Sequence, residues 1–442
     1  MHKNADSRIL MSRMYNRVLV FLCKILIKLL RLIGKNGSAL PGLIIERLSP
    51  KFLKSTLGTV EKQVILVTGT NGKTTTTKML VAGLRGTGVR VVTNATGSNM
   101  TRGLIAALVE DMTFFGKLRA TDWFVFEMDE AYGPIFTQDI SPYVVVGLNV
   151  LRDQLDRYGE IDATARMIQE TANQATVFIY NGEDPLLVRA ANNVAPHDVR
   201  TVSFGVSEEL RKNIIDEQVI SGNKGNSQKT THARFELTSA SEEANTQKVK
   251  IAHEGGYSSV SLPAKGFHNA FNLAAVLAVI AELGVGVTDQ SLMAIEQMPI
   301  PFGRGEKLDI RGKAITVALM KNPSGLVANL ETFIDNKELD AILFVVNDRL
   351  ADGRDVSWLW DVPFHGRIND QIKVFTSGIR AYDMALRLKQ DDIPSDTVTS
   401  VSDVVELLMS STYSNIVIVP TYTALFEVRA SLAKYGKVPR IW

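Results

Sequence analysis

The nine residues "GTNGKTTTT", Gly69 to Thr77, have the composition of a phosphate-binding loop. An apolar run precedes them and a helix-forming stretch follows, so a strand would pass into a helix here. Glycine lets backbone N–H groups close on a phosphate, Lys73 supplies a positive charge, and the Thr74 hydroxyl can bind Mg²⁺. The usual spacing G-x-x-x-x-G-K-[ST] is incomplete, because Val67 stands where its first glycine would be. We predict nucleotide binding here rather than an ordinary glycine turn.

A second group of chemically useful residues is acidic. "FVFEMDE" ends a buried strand with Glu127, Asp129 and Glu130. The carboxyl ends of parallel strands meet at one edge of a sheet, so these acids would lie beside the phosphate loop, where a metal ligand is needed. Glu127 follows the apolar run directly, and we expect it to bind Mg²⁺ together with Thr74. A solvated strand end is the alternative.

A third stretch, "VNDRLADGRDVSWLWD" from Val346 to Asp361, contains four aspartates and two tryptophans directly after an apolar run. A surface turn uses glycine and aspartate but has no need of tryptophan, so a plain surface loop explains only part of this composition. The composition of this loop does not by itself indicate what the loop does.

The elements that would position these residues follow the pattern of a doubly covered α/β sheet. Strand candidates alternate with helices from Val64 onward, a polar stretch at 206–260 is predicted as a small β-rich insertion, and a second α/β unit follows a Pro-rich hinge. We divide the chain into an N-terminal helix region, a central P-loop domain with a parallel sheet, and a C-terminal α/β domain. Their bounds are 1–45, 46–300 and 301–442.

Length and composition agree with this division. At 442 residues the chain is too long for one ordinary hydrophobic core. Hydrophobic residues make up 45% and charged residues 22%, as in globular proteins, and a net charge of +2 gives no overall reason to expect nucleic acid as a partner. The single cysteine, Cys23, excludes an internal disulfide and a cysteine-based zinc site, and it fits a reducing cytoplasm.

The N-terminal segment "RVLVFLCKILIKLLRLIGK" is apolar and basic. Its longest uncharged run, Val18 to Cys23, is far shorter than the roughly 20 residues needed to span a bilayer. Its cations are spaced to share one face of a helix, which could lie on an anionic membrane surface or dock on the first domain. A cleaved signal peptide is not expected, because basic residues interrupt the apolar stretch. The cations are Arg17, Lys24, Lys28, Arg31 and Lys35.

Several motifs in order resemble the Mur ligase family, whose members use ATP to convert a carboxylate into an acyl phosphate that an amine attacks. The resemblance covers about 60–310. Its motifs are "VTGTNGKTTTT", "NVLRDQLDRYGE" (149–160), "YNGEDP" (180–185), "FHNAFN" (267–272) and "GRGEKL" (303–308).

The C-terminal third resembles one branch of that family, the MurT-type synthetase subunits of lipid II isoglutaminyl synthases. The resemblance implies amidation of the α-carboxylate of D-glutamate in the lipid II stem peptide, with ammonia supplied by a GatD-like class I glutaminase subunit. It places the protein in the cytoplasm, where it could associate with the inner face of the cell membrane. The motifs are "KNPSG" (321–325), "NDRLADGRDVSWLWDVPF" (347–364), "SGIRAYDMALRLK" (377–389) and "PTYTALFEVR" (420–429).

The resemblance also assigns roles by motif. Glu127 would be a metal ligand, and Asn269 and Asn272 would lie near the nucleotide. Arg304 would contact the nucleotide from the hinge and neutralise phosphate charge only when the domains close, although it could also be an ordinary linker charge. The residues that would hold the ATP phosphates and Mg²⁺ are Thr70, Asn71, Gly72, Lys73, Thr74 and Thr75.

Two departures from the family pattern matter. Gln154 stands where many amino-acid-adding Mur ligases have histidine, and no lysine lies between Tyr158 and Arg211 to be carbamylated and hold a second Mg²⁺. This favours ammonia as the nucleophile over an amino acid. The four-cysteine zinc ribbon common in the MurT-type branch is missing, so no zinc is expected. A stand-alone amino-acid ligase and a catalytically silent nucleotide-binding scaffold remain the alternatives.

The resemblance finally suggests a use for the acidic loop. A glutaminase base is usually oriented by an acid, and here the acid would come from this chain. Asp355 is nearest the tryptophans and is our choice, with Asp352 as the alternative. We expect Asp348 and Asp361 to hold the backbone of the loop itself.

Overall fold

Strands and helices alternate through most of the chain, as the apolar patterning predicts. The computed structural model describes residues 2–32, 40–94, 100–151, 161–194, 198–211, 233–243, 246–299, 303–334 and 338–439. The helices described are α1 (His2–Leu32), α2 (Leu40–Leu48), α3 (Phe52–Leu57), α4 (Lys73–Gly86), α5 (Thr101–Asp111), α6 (Gly133–Thr137), α7 (Ile161–Ala172), α8 (Pro185–Val194), α9 (Phe267–Glu282), α10 (Asp289–Glu296), α11 (Pro323–Phe333), α12 (Ala381–Gln390), α13 (Val401–Ser410) and α14 (Tyr422–Leu432). The strands described are β1 (Val64–Thr68), β2 (Val91–Thr93), β3 (Trp123–Glu127), β4 (Val144–Gly147), β5 (Val177–Asn181), β6 (Arg200–Val206), β7 (Phe235–Glu242), β8 (Gln247–His253), β9 (Gly256–Leu262), β10 (Arg304–Ile310), β11 (Lys313–Ala318), β12 (Ala341–Val345), β13 (Lys373–Ser377), β14 (Asp396–Thr397) and β15 (Asn415–Pro420).

The first sheet has nine strands in the order β2-β3-β1-β4-β5-β6-β7-β8-β9. The first seven run parallel, and β7, β8 and β9 are joined in antiparallel pairs. Every residue of β1 is buried, because helices cover both faces of the sheet. Ile65 and Val67 point into one core with Leu80 of α4, while Leu66 points into the opposite core with Phe124.

The polar stretch 206–260 contributes strands to this same sheet. β6 pairs with β7 in parallel, and the hairpins that follow extend the sheet to its far edge. Residues 212–232 of this stretch lie outside the described residues. The β-rich segment is therefore continuous with the sheet that carries the phosphate loop.

The second sheet has six strands in the order β10-β11-β15-β12-β13-β14. β10 and β11 form an antiparallel hairpin, and the remaining pairs are parallel. Phe344 and Leu343 of β12 point to opposite faces, each into its own core. The predicted fold class is confirmed: a parallel P-loop sheet is followed by a second α/β unit.

Helix α1 packs on the first of these units. Leu19, Val20 and Cys23 are buried against Ile105 and Val109 of α5, which fits the docking alternative for the N-terminal segment. Within the described residues, no helix is both long enough and apolar enough to cross a membrane.

Candidate functional site

The loop between β1 and α4 has the backbone shape of a phosphate cradle. Gly69 and Gly72 have φ angles of +125° and +88°, in the region that favours glycine. Helix α4 begins at Lys73, so the N–H groups of its first turn have no acceptor within the helix and face the space that an anion would fill. The loop lies where the sequence predicts it.

Asn149, two residues after β4, holds this loop in place. Its side-chain oxygen accepts the N–H of Asn71 at 2.8 Å, its amide nitrogen donates to the carbonyl of Asn71 at 3.0 Å, and its own carbonyl accepts the N–H of Thr70 at 2.9 Å. Asn149 is thus a site residue to which sequence reasoning gave no role, although it opens the motif "NVLRDQLDRYGE". Residues 152–160 of that motif, including Gln154, lie outside the described residues.

Asp184, from the motif "YNGEDP", fixes the segment that follows Asn149. Its carboxylate is fully buried and accepts the N–H of Val150 at 2.7 Å and that of Leu186 at 2.9 Å. Burial raises the pKa of Asp184 to about 6, although these N–H donors oppose the rise. The carboxylate ties β4 to the turn after β5 and so supports the phosphate loop indirectly.

Lys73 and Glu130 form a buried ion pair beneath the loop. The Lys73 ammonium lies 2.9 Å from Oε1 of Glu130, and it also donates to the carbonyls of Gly69 at 2.5 Å and Thr70 at 3.3 Å. Burial alone would raise the pKa of Glu130, but the positive charges of Lys73 and Lys321 outweigh it and hold that pKa below its ordinary value. Of the three acids at the end of β3, Glu130 is the one that meets the lysine.

The two residues predicted to bind Mg²⁺ lie at the ends of adjacent elements. Glu127 is the last residue of β3 and is buried; its backbone exchanges two hydrogen bonds, of 2.8 and 2.9 Å, with the Asn94 side chain. Thr74 is half-buried in the first turn of α4. No group of three or more His, Cys, Asp or Glu side chains suited to a metal occurs among the described residues. The oxygen donors at this edge fit Mg²⁺ in the usual protein manner, in which one or two protein ligands are completed by phosphate oxygens and water.

Helix α9 closes the other side of the loop. A Cβ atom added at Gly72 would lie 2.5 Å from Nδ2 of Asn272, so this amide packs directly on the cradle. Asn269 is buried one turn earlier, where its side chain donates to the carbonyl of Lys265 at 2.6 Å. Arg304 is the first residue of β10, and its side chain lies outside what the structure describes.

The second sheet also reaches the phosphate loop, through Asn322 of the motif "KNPSG". The amides of Asn71 and Asn322 exchange two hydrogen bonds, of 3.2 and 2.9 Å. Asn322 also caps α11 by accepting the N–H of Gly325 at 2.8 Å, so its orientation is fixed from its own side. The motif by itself gives no indication that it lies at the phosphate loop.

The aspartates of the acidic loop after β12 make different contacts. Asp352 is buried and accepts the N–H of Thr423 at 2.7 Å, the hydroxyl of Thr423 at 2.5 Å and the N–H of Arg349 at 3.1 Å. Asp348 pairs with Arg380, which follows β13, at 2.8 Å. Both side chains therefore hold the loop in place.

Asp355 is more accessible than Asp352. It is half-buried and accepts the N–H of Ser357 at 2.8 Å, at the entry to the short 3₁₀ helix Ser357–Asp361. Gly353 turns the chain just before it with a φ angle of +87°. Trp358 packs into the core below, while Trp360 is 42% exposed. Of the two carboxylates, that of Asp355 is therefore the more accessible one.

The contact between Gly72 and Asn272 can be tested with a matched pair of variants. Gly72→Ala is expected to weaken ADP binding at least about tenfold, because the new methyl group must displace the Asn272 amide and disturb the cradle. Gly88→Ala is the control, since Gly88 has a similar φ angle of +86° but nothing within 4 Å of an added Cβ atom. Both variants share a backbone penalty of roughly 1 kcal/mol.

The measurement is the dissociation constant of ADP by calorimetry, together with urea unfolding of both variants. Equal ADP affinity in the two variants would show that the contact at Gly72 has no part in nucleotide binding.

The sequence and the fold of this chain are similar to those of several known proteins. Two family models match, the Mur ligase middle domain over residues 67–280 and the MurT ligase C-terminal region over 319–425. Curated relatives include the protein named lipid II isoglutaminyl synthase (glutamine-hydrolyzing) subunit MurT from Staphylococcus aureus, which is 27% identical over 92% of this chain and 95% of its own length. The protein of the same name from Streptococcus pneumoniae is 28% identical over 90% of this chain and 93% of its own length. Among solved structures, MurF ligase from Thermotoga maritima in complex with ADP matches with a TM-score of 0.63 and 17% identity, over 90% of this chain and 85% of that one.

Proposed function

Because this chain belongs to the Mur ligase family, we propose that it is the synthetase subunit of a lipid II isoglutaminyl synthase. In the proposed reaction an oxygen of the D-glutamate α-carboxylate attacks the γ-phosphorus of ATP, which gives an acyl phosphate and ADP. Ammonia then attacks the acyl carbon, phosphate leaves, and the α-carboxylate has become an amide. The observation that carries this proposal is the intact phosphate cradle with its buried Lys73, in a chain whose relatives along nearly its whole length bear that name.

The residues around the cradle divide this work among them. Lys73 and the first N–H groups of α4 bind the phosphate chain and stabilise the negative charge that develops on it. Thr74 and Glu127 would hold Mg²⁺, which would neutralise phosphate charge. Thr70, Asn71 and Thr75 complete the cradle, and Arg304 contacts the nucleotide from the hinge.

The ammonia would come from a GatD-like glutaminase subunit that docks on the end of the second sheet. The loops after β12 and β13 meet there, joined by the ion pair of Asp348 and Arg380. These loops, the short 3₁₀ helix and α12 carry large exposed apolar side chains, which are typical of a protein interface. This sheet-end patch consists of Leu350, Trp360, Ile379, Tyr382 and Leu386.

Within that patch, Asp355 supplies the acid that orients the histidine base of the glutaminase. It lies at the entry to the helix that carries Trp360, so docking would bring the partner to its carboxylate. A carboxylate in that position holds the imidazole in the tautomer that accepts the proton of the nucleophilic cysteine. The active site for glutamine hydrolysis would thus be shared between two chains.

The substrate sets the location of the enzyme. Lipid II is completed at the inner leaflet, so we place the protein in the cytoplasm, in peripheral contact with the inner face of the cell membrane. ATP for the reaction is available on the same side.

The decisive experiment supplies the purified chain with ATP, Mg²⁺ and lipid II, and varies the source of nitrogen. Ammonium alone, or glutamine with the glutaminase subunit, should give a product whose mass shows replacement of one hydroxyl group by an amino group, with one ADP for each amide. Product with free amino acids but never with ammonia would identify an amino-acid ligase instead. Binding of ATP without turnover under every condition would identify a scaffold.

A further inference from the structure

Helix α1 has a second apolar face that the described part of the chain leaves exposed. Its inner face, with Leu19, Val20 and Cys23, is buried against α5. A second set of side chains, spaced by 4, 4 and 7 residues, shares the opposite side of the helix and is more than half exposed. This outer stripe consists of Met14, Val18, Leu22 and Leu29.

The turn after α5 adds two phenyl rings beside this stripe. Phe114 packs edge-on against Phe21 of α1 with ring centroids 4.9 Å apart, and the Lys28 ammonium lies 5.1 Å from the Phe114 ring. Phe115, next to it, is 75% exposed. The turn is pressed against the helix, since a Cβ atom at Gly116 would lie 2.9 Å from Cα of Arg17. The outer stripe and these rings therefore form one apolar surface.

The charge around this surface is mainly positive, and Glu110 and Asp111 at the end of α5 are the acids near Lys24. Residues 7–45 contain seven lysines and arginines and no aspartate or glutamate. Lys117 and Arg119, both exposed, extend the positive charge along the turn. Lys24 and Lys28 lie on the flank of the helix that faces the turn, with the Lys24 ammonium 3.1 Å from the carbonyl of Glu110.

We propose that the outer stripe, with Phe114 and Phe115, binds the surface of an anionic lipid bilayer. Apolar side chains flanked by cations, with aromatic rings at the edge, match the boundary between acyl chains and negatively charged headgroups. A second copy of this chain is the poorer partner, because dimerisation through this surface would bring two sets of like charges together. The glutaminase subunit has a separate surface, the sheet-end patch of the second unit.

This inference goes beyond the proposed reaction, because lipid binding does not require catalysis; it rests on the proposed function only for the choice of the cytoplasmic leaflet. The surface would place the protein in the plane in which its lipid-linked substrate diffuses. It uses exposed residues that the phosphate cradle and the acidic loop do not use.

The test is flotation of the full chain with vesicles of phosphatidylglycerol or of phosphatidylcholine, at low and high salt. We expect binding to phosphatidylglycerol that weakens with salt, and little binding to phosphatidylcholine. The double variant Leu22→Ser/Phe115→Ser should lose at least about tenfold in affinity, since two apolar side chains no longer enter the bilayer. Met293→Ser is the matched control, because Met293 is also 54% exposed, like Leu22, but lies on α10.

Two further measurements, of stability and of activity, show whether the double variant affects lipid binding alone. The double variant should retain its urea unfolding curve and should amidate a water-soluble lipid II analogue with ammonium at the wild-type rate. Vesicle binding by the double variant at wild-type affinity, or no binding by the wild type, would overturn the inference. A wild-type dimer that dissociates in the double variant, or loss of glutaminase binding in that variant, would overturn it in favour of a protein partner. If the wild type and the variants all failed to amidate the analogue while the wild type still bound vesicles, the proposed reaction would be refuted and the inference about lipid binding would stand.

Discussion

Lys73→Met is expected to abolish ATP-dependent amidation with both glutamine and ammonium, with a rate loss of at least about a hundredfold. The Lys73 ammonium is the positive charge held at the base of the phosphate loop, and acyl phosphate formation precedes any use of nitrogen. The loss should therefore be the same for both nitrogen sources. ADP release and product mass, measured with each source, check this expectation.

The same substitution has a structural effect that can be separated from the chemical one. Lys73→Met leaves the buried Glu130 carboxylate without its nearest positive charge, so it should lower the free energy of unfolding by about 3 kcal/mol. Lys73→Met/Glu130→Gln should recover most of that stability and none of the activity, because the carboxylate has been neutralised while the phosphates still lack the lysine. Recovery of activity in the double variant would show that Lys73 acts only through the fold.

An exposed ion pair provides the control for this experiment. Lys54 lies 2.8 Å from Asp139, about as close as Lys73 lies to Glu130, but both side chains are well exposed. Lys54→Met should change the free energy of unfolding by less than about 1 kcal/mol and leave amidation unchanged. Burial, rather than the length of the ion pair, is what makes Lys73 costly to replace.

Asp355→Asn is expected to remove glutamine-dependent amidation, by at least about a hundredfold, while amidation with added ammonium stays at the wild-type rate. Asparagine keeps the size of the side chain and an oxygen for the Ser357 N–H, but it cannot stabilise a positively charged histidine of the glutaminase. The measurement is the rate of amide formation with each nitrogen source in the complex of both subunits.

Two neighbouring aspartates serve as controls. Asp383 lies on the same surface, with its carboxylate 3.8 Å from the Arg380 guanidinium. Asp383→Asn should leave both rates unchanged. Asp352→Asn should lower the free energy of unfolding by about 1–3 kcal/mol, because a buried acceptor of three hydrogen bonds is altered. Equal losses with glutamine and with ammonium in Asp355→Asn would assign this loop to the synthetase site instead.

Local features of this chain could be predicted because their causes are local. The apolar run 64–68, the glycines of the phosphate loop and the lysine that starts α4 lie within ten residues, and each limits the backbone directly. The alternation of strands and helices also determined the parallel sheets. The order in which the strands lie side by side was not part of that prediction.

Contacts between distant segments could not be predicted in this way. Glu130 rather than Glu127 meets Lys73, because the chain turns after β3, and nothing in "FEMDE" sets the direction of that turn. The pair of Asn71 and Asn322 joins residues 251 positions apart, so it depends on how the two α/β units pack. Helix α1 shows the same limit, since an apolar and basic pattern does not reveal which apolar face will be buried.

The position of β15 in the second sheet has a consequence for biosynthesis. β15 is the last strand among the described residues, yet it lies between β11 and β12 and pairs with both. Until residue 420 has left the ribosome, this sheet consists of two halves with unpaired inner edges, which are prone to pairing with other chains. Thr423, which anchors Asp352 in the acidic loop, arrives later still. A nascent chain that lacks β15 and Thr423 therefore cannot present the surface proposed for the glutaminase, so under this proposal the two subunits assemble only after residue 423 has been synthesised.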